Sequence, residues 1–359
     1  MLQHLWFKAI VICCCIAGTL DLRLDLKQRM VKPLRLWLKV IVYGPAYFGV
    51  CIVPWSLWNS LEISDSHLTN PVVRSANIVT ILVRIALFFT FVRGIYKRNR
   101  KLEKWLRRAL AMQKAYFDGL PERETTGRSI SHRKWLYLTS LITCLHYAME
   151  TCSELDSNEA RSLLYFMVTI QHFFMLTHGA LVCFLRECFS VVYHELRMEI
   201  CRFPASRVYS LLHGLHRDLN EMHGPIMLCV LLSLLLSNSM VGYIGLLQLL
   251  MPNFNGAHFD YLFGNALYGL LLIHWYIYFM LCQRMETTIK QIDMTLYEYE
   301  DHEDTKKEIE LLVFNRSLNE SSVCFCQLIR VNWNSLFCIL AQTVSYIITL
   351  IQLDYVNLI

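Results

Sequence analysis

Six polar or small residues near the C-terminus, Ser335, Cys338, Gln342, Ser345, Thr349 and Gln352, recur at alternating spacings of three and four. That period places all six on one face of a helix, and the positions between them are mostly Leu, Ile, Val and Phe. Hydroxyls and amides on an otherwise apolar helix are costly against lipid, so the stripe must meet protein or water. Two chemistries follow. Ser, Thr and Gln can serve as hydrogen-bonding glue between helices of one subunit. Alternatively, copies of the helix around an axis would offer ions a neutral lining that replaces part of their hydration without trapping them.

Other candidate groups are sparse. Arg84 is the one clear charge inside an apolar stretch; it reads either as an ion-path or partner residue or as a side chain that snorkels. Ligand sites combine aromatic walls with a few polar groups, and His146, Tyr147, Tyr165, Tyr243, Gln248 and Tyr268 supply such a set in the outer halves of the apolar stretches. Catalytic patterns are missing: there is no GxGD, GxSG or HExxH, and His213 with His216 lacks supporting ligands. The pair Cys324 and Cys326 is likewise unsupported, the last stretch holds no Lys for a Schiff base, and no Asp or Glu lies deep in any stretch. No enzyme activity, metal or cofactor is expected.

The elements that must position these groups follow from composition. Of 359 residues, 55% are hydrophobic and 18% charged, against about 25% charged in ordinary soluble domains. The apolar residues cluster into runs near the 20 or so needed to cross a bilayer, giving seven spans at 36–55, 76–95, 135–151, 162–185, 225–250, 262–282 and 331–353. The expected fold is an all-α membrane protein with little chain left for a separate soluble domain. Four parts are expected: a cytoplasmic N-terminal segment (1–35), helices one to six with the ligand-pocket part (36–282), a cytoplasmic loop and anchor (283–330), and the last helix with a short tail (331–359).

Charge sets the orientation. Of the 34 Lys and Arg, 29 fall in the segments 1–35, 96–134, 186–224 and 283–330, and only Arg74 and Arg161 in the opposite loops. Cationic loops are retained in the cytoplasm, so the N-terminus is expected inside and the C-terminus outside. The net charge of +5 therefore reads as membrane topology and implies no nucleic acid. The sequons at Asn315 and Asn319 are placed inside by the same reading. The apolar stretch 5–20 is short for a span and is followed by Arg23, Lys27, Arg29, Lys32 and Arg35. Those charges resist translocation, so we read it as an interfacial helix, with a signal peptide or an eighth span as alternatives.

Several inside loops continue the helices. Leu102, Leu106, Ala109, Leu110 and Phe117 form one stripe, Phe189, Val192, Leu196 and Ile200 a second, and Ile289, Ile292 and Leu296 a third. Such stripes pack on one another within a subunit or build the cytoplasmic base of an oligomer. The tract 298–310 reads as a solvated turn or disordered loop. The fourteen cysteines are scattered mostly in apolar stretches and read as reduced packing residues.

The C-terminal stretch Ser345-Tyr346-Ile347-Ile348-Thr349-Leu350-Ile351-Gln352-Leu353 resembles the signature of the insect gustatory receptor family: Thr-Tyr, five mainly apolar residues, then Gln-Phe close to the chain end. Tyr346 and Gln352 match, Ser345 stands for Thr and Leu353 for Phe. The resemblance implies a multi-pass plasma-membrane receptor of gustatory neurons, a ligand-gated non-selective cation channel built as a homo- or hetero-tetramer. It places Gln352 and Leu353 at a pore constriction with Ser345 and Tyr346 below; Thr349 joins them through the stripe. A small-molecule tastant, bitter or otherwise plant-derived, and membrane lipids are the implied partners. The alternatives are a metabotropic seven-helix receptor and an accessory subunit of a heteromeric taste receptor.

Overall fold

The computed structural model describes residues 14–15, 21–25, 30–67, 71–117, 138, 141–142, 145, 159–198, 204–250, 258–298 and 322–358. Six long helices dominate them: α1 (Leu36–His67), α2 (Pro71–Tyr116), α3 (Glu159–Arg197), α4 (Ala205–Leu250), α5 (His258–Glu298) and α6 (Trp333–Leu358). Four stretches, Arg74–Tyr116, Ile170–Arg197, Ala205–Met240 and Trp333–Leu353, are long and apolar enough to cross a membrane. The expected third span lies mostly outside the described residues; its described positions, 138, 141–142 and 145, are helical.

Helix length explains why the bundle extends beyond the membrane. At 46 residues, α2 extends roughly 69 Å at 1.5 Å per residue, more than twice the hydrocarbon thickness. Its second half must stand in water, and it does so by burying one face. Ile95, Leu102, Trp105 and Ala109 are fully enclosed, and Trp105 Nε1 donates to the Leu215 carbonyl of α4 at 2.7 Å. Phe189, Val192 and Leu196 of α3 and Ile289, Ile292 and Leu296 of α5 join the same core. The Tyr209 hydroxyl of α4 donates to Asp293 of α5, and Arg108 pairs with Asp218 at 2.6 Å. The amphipathic stripes thus pack on each other within one chain. Ile200, expected in the second stripe, lies outside the described residues.

Among the described residues, two small antiparallel hairpins interrupt the all-helical pattern. β1 (Leu22–Asp25) pairs with β2 (Met30–Pro33), Leu22 opposite Pro33. This hairpin brings buried Asp21 to Lys39 at 3.1 Å and to the Tyr43 hydroxyl, which donates at 2.6 Å. β3 (Cys324–Phe325) pairs with β4 (Ile329–Arg330) through a turn in which Cys326 and Gln327 hold positive φ, 53° and 59°. It lies against α4 at Gly224, where a Cβ would meet the Cys326 backbone nitrogen at 3.0 Å. The short apolar segments and the turn between them carried no long-range periodicity from which sequence reading could find them.

Candidate functional site

α6 begins with a cap. Asn332 Oδ1 accepts from the Ser335 backbone N–H at 2.9 Å, and the Ser335 hydroxyl donates to the Arg330 carbonyl at 2.5 Å; this satisfies an amide that the first helical turn leaves without a partner. From there α6 runs along the edge of the bundle. Little of its apolar length is buried in the chain, whereas most of that of α3 is.

The contact face of α6 is narrow. Leu336, Thr343 and Leu350 are buried, Ile339 packs on the main core, and Ile347 abuts Gly242 of α4. Taking 3.6 residues per turn, the centre of this face lies roughly 130° around the helix from the centre of the stripe Ser335, Cys338, Gln342, Ser345, Thr349 and Gln352. Cys338, Gln342, Ser345, Thr349 and Gln352 are all exposed, as are Tyr346 and Leu353. Within one chain the stripe therefore does not bind the bundle together; Thr343, on the contact face, is buried and spends its hydroxyl proton within α6, on the Ile339 carbonyl at 2.9 Å. Thr349 donates its hydroxyl proton to the Ser345 carbonyl at 2.9 Å, leaving oxygen lone pairs as acceptors on the exposed face. Neutral acceptors in a column, turned away from their own subunit, are able to contact partially hydrated cations.

A second arrangement lies among α2, α3 and α4. Arg84 donates through Nε and Nη2 to the Ser237 hydroxyl at 3.1 and 2.8 Å, and that hydroxyl passes its own proton to the Ser233 carbonyl at 2.6 Å. Gln171 Nε2 donates to Ser233 Oγ at 3.4 Å. Arg84 and Gln171 border a cavity of about 10 Å³, the room of one water, walled by Phe88, Phe91, Phe174, Ile226 and Val230. Phe91 and Phe174 of this wall form an edge-to-face pair, 6.3 Å between ring centroids, and the Arg98 guanidinium sits 4.6 and 4.9 Å from the two rings on cation–π contacts. Arg84 thus has a partner helix. The lone arginine was the sequence signal; Ser237, 153 residues away, carried none.

The expected ligand-pocket residues are only partly placed. His146 and Tyr147 lie outside the described residues; Tyr165, Gln248 and Tyr268 belong to α3, α4 and α5, with side chains outside the description. Tyr243 is buried in a cluster with Met240 and with Leu350 of α6. Deeper in the bundle, His172 and His274 face each other at 3.2 Å between Nδ1 atoms, and the Tyr278 hydroxyl meets His178 Nδ1 at 2.7 Å. Among the described residues no group of three or more His, Cys, Asp or Glu is arranged to hold a metal, and the cysteines are free. Asn315 and Asn319 lie outside the described residues.

Comparison with known proteins agrees with this architecture. Residues 7–357 match the family model described as 7tm Chemosensory receptor. No curated protein matches the chain in sequence. Among solved structures, the insect olfactory receptor OR5 from Machilis hrabei in complex with eugenol superposes with a TM-score of 0.68 at 13% identity, covering 98% of both chains. A second structure of the same receptor gives 0.65 at 13% identity, covering 97% of this chain and 98% of the other. At that identity the likeness shows the fold.

Proposed function

The chain belongs to the 7tm chemosensory receptor family, and on that premise we propose that it is a taste receptor whose own subunits form a ligand-gated, non-selective cation channel. The observation that carries the reading is the stripe on α6, exposed and turned roughly 130° from the bundle by the helical repeat. Around a shared axis, four such helices would present Ser345, Thr349 and Gln352 to the ion path, with Leu353 as an apolar ring beside Gln352 and Tyr346 near Ser345. Hydroxyls and amides of this kind carry no net charge and favour hydrated cations without selecting one.

Topology supports the same reading. With 29 of 34 basic residues on one side, the N-terminus is cytoplasmic and the C-terminus external, a placement opposite to that of a metabotropic receptor. The C-terminal signature through Tyr346 and Gln352 favours taste over smell. The absence of carboxylates deep in the spans favours a bitter or other plant-derived small molecule over a polyol. The olfactory relative's phenolic ligand, eugenol, makes aromatic plant compounds the first panel to apply.

The test is whole-cell recording from cells expressing the chain alone at the surface, challenged with bitter alkaloids and plant phenols. A ligand-evoked cation current that reverses close to zero voltage supports the proposal. Surface protein that gives no current alone, yet enables a co-expressed receptor, would assign the accessory role instead. A response that requires G proteins would return the metabotropic reading.

A further inference from the structure

We propose that the cationic face of α2, where it leaves the membrane, is a docking surface for anionic lipid headgroups. Arg93, Lys97, Arg100, Lys101 and Lys104 are all exposed and fall within an arc of roughly 100° at 3.6 residues per turn. The opposite face of the same segment holds Phe91, Ile95, Arg98, Leu102, Trp105 and Ala109, all buried. Burial therefore fixes the rotation of α2, and with it the direction of the cations. Acidic neighbours are paired elsewhere: among the described residues Glu103 pairs with Arg107 at 2.6 Å and Asp218 with Arg108 at 2.6 Å. No ion pair is formed by Arg93, Lys97, Arg100, Lys101 or Lys104 among the described residues.

Position decides the occupant. The apolar run of α2 ends at Ile95, so Lys97, Arg100 and Lys101 lie within roughly 9 Å of it along the axis at 1.5 Å per residue. That distance is about one Debye length at physiological ionic strength, and a lysine or arginine side chain spans much of it. Tyr96 is 58% exposed on the flank of the same face, where an aromatic ring with a polar tip suits the headgroup level. A soluble acidic partner would have no reason to prefer the first turns outside the membrane over the later ones. Phosphatidylserine or a phosphoinositide, fixed at that level, engages the first turns and leaves Lys114 alone. The geometry holds whichever side of the membrane this end of α2 faces; the choice of the inner leaflet, where such lipids reside, rests on the topology proposed above.

The experiment uses the purified full chain in nanodiscs of equal parts phosphatidylcholine and phosphatidylserine. Spin-labelled phosphatidylserine and spin-labelled phosphatidylcholine report how much of each lipid the protein immobilises. The wild type should retain the anionic probe several-fold more than the neutral one, and the ratio should fall as salt is raised. Lys97→Gln with Arg100→Gln and Lys101→Gln should bring the ratio close to one, whereas Lys114→Gln should leave it unchanged. The charge-keeping pair Lys97→Arg and Lys101→Arg should behave as wild type, which separates lost charge from lost fold. An unchanged ratio in the triple variant, or an equal fall in the Lys114 variant, would overturn the proposal. So would a wild type indifferent to both lipids that instead binds polyglutamate through Lys97, Arg100 and Lys101, which would assign the face to an acidic protein. None of these readouts depends on channel activity, and access of an external antibody to a C-terminal tag reports the topology separately.

Discussion

A methyl group placed on Gly242 of α4 would lie 2.4 Å from the Cδ1 and 3.3 Å from the Cγ1 of Ile347 on α6. No carbon tolerates the first of these distances. The missing side chain is therefore what lets α6 lie against the bundle with Ile347 facing inward and the polar stripe facing out.

Gly242→Ala should destabilise the protein by about 1–3 kcal/mol, as overpacking does, or push α6 away. Ile347→Val removes Cδ1 and on its own should cost about 1 kcal/mol. In the double variant the two effects should partly cancel. Thermal unfolding of the detergent-solubilised protein measures all three, and strictly additive losses would show that the contact is not the constraint.

The link from Arg84 to Ser237 joins α2 to α4 inside the membrane. Polar pairs in membrane proteins couple by about 0.6 kcal/mol on average and up to about 1.7, and a charged donor belongs at the upper end. A cycle of Arg84→Met, Ser237→Ala and the double variant should return a coupling of about 1 kcal/mol, because Ser237→Ala alone strips an acceptor from a charge that stays in place. A coupling near zero would relocate Arg84's main partner.

Asn332 caps α6. Asn332→Ala should cost about 1 kcal/mol, and Asn332→Asp should retain most of the stability because its oxygen can accept the same bond. Equal losses in the two variants would mean that the side chain acts through something other than the cap.

Gln352→Ala should change relative cation permeability or conductance without lowering surface expression, since the residue is exposed in the subunit and no fold contact is lost. Currents identical to wild type at normal surface level would remove Gln352 from the ion path.

The sequence was most legible where burial has a period. The stripes through Leu102 and Ala109, through Phe189 and Val192, and through Ile289 and Ile292 are all buried in the core, because a helix that outruns the bilayer must hide one face. The start of α1 at Leu36 is likewise marked by the switch from charged to apolar residues. Pairings between distant segments were not legible. Arg84 announced itself as a charge in lipid, but Ser237 is one serine among several in an apolar helix, and only the packing of α2 on α4 selects it. Tyr243 belonged by type to an aromatic pocket wall; its position next to Gly242 places it in a cluster with Leu350. The hairpin at Cys324–Arg330 was hidden because its strands are two residues each, too short for any alternation to register.

As a pore lining, the exposed stripe of α6 must face water and ions. Cysteine placed at Gln352, in a background where Cys338 is Ser, should react with a cationic thiol reagent applied from outside and reduce the ligand-evoked current irreversibly. Cysteine at Thr343, buried on the bundle side of α6, should leave the current untouched under the same exposure. Complete modification at 352, confirmed by mass, with a current that neither falls nor changes its reversal voltage would show that this face of α6 does not line the ion path.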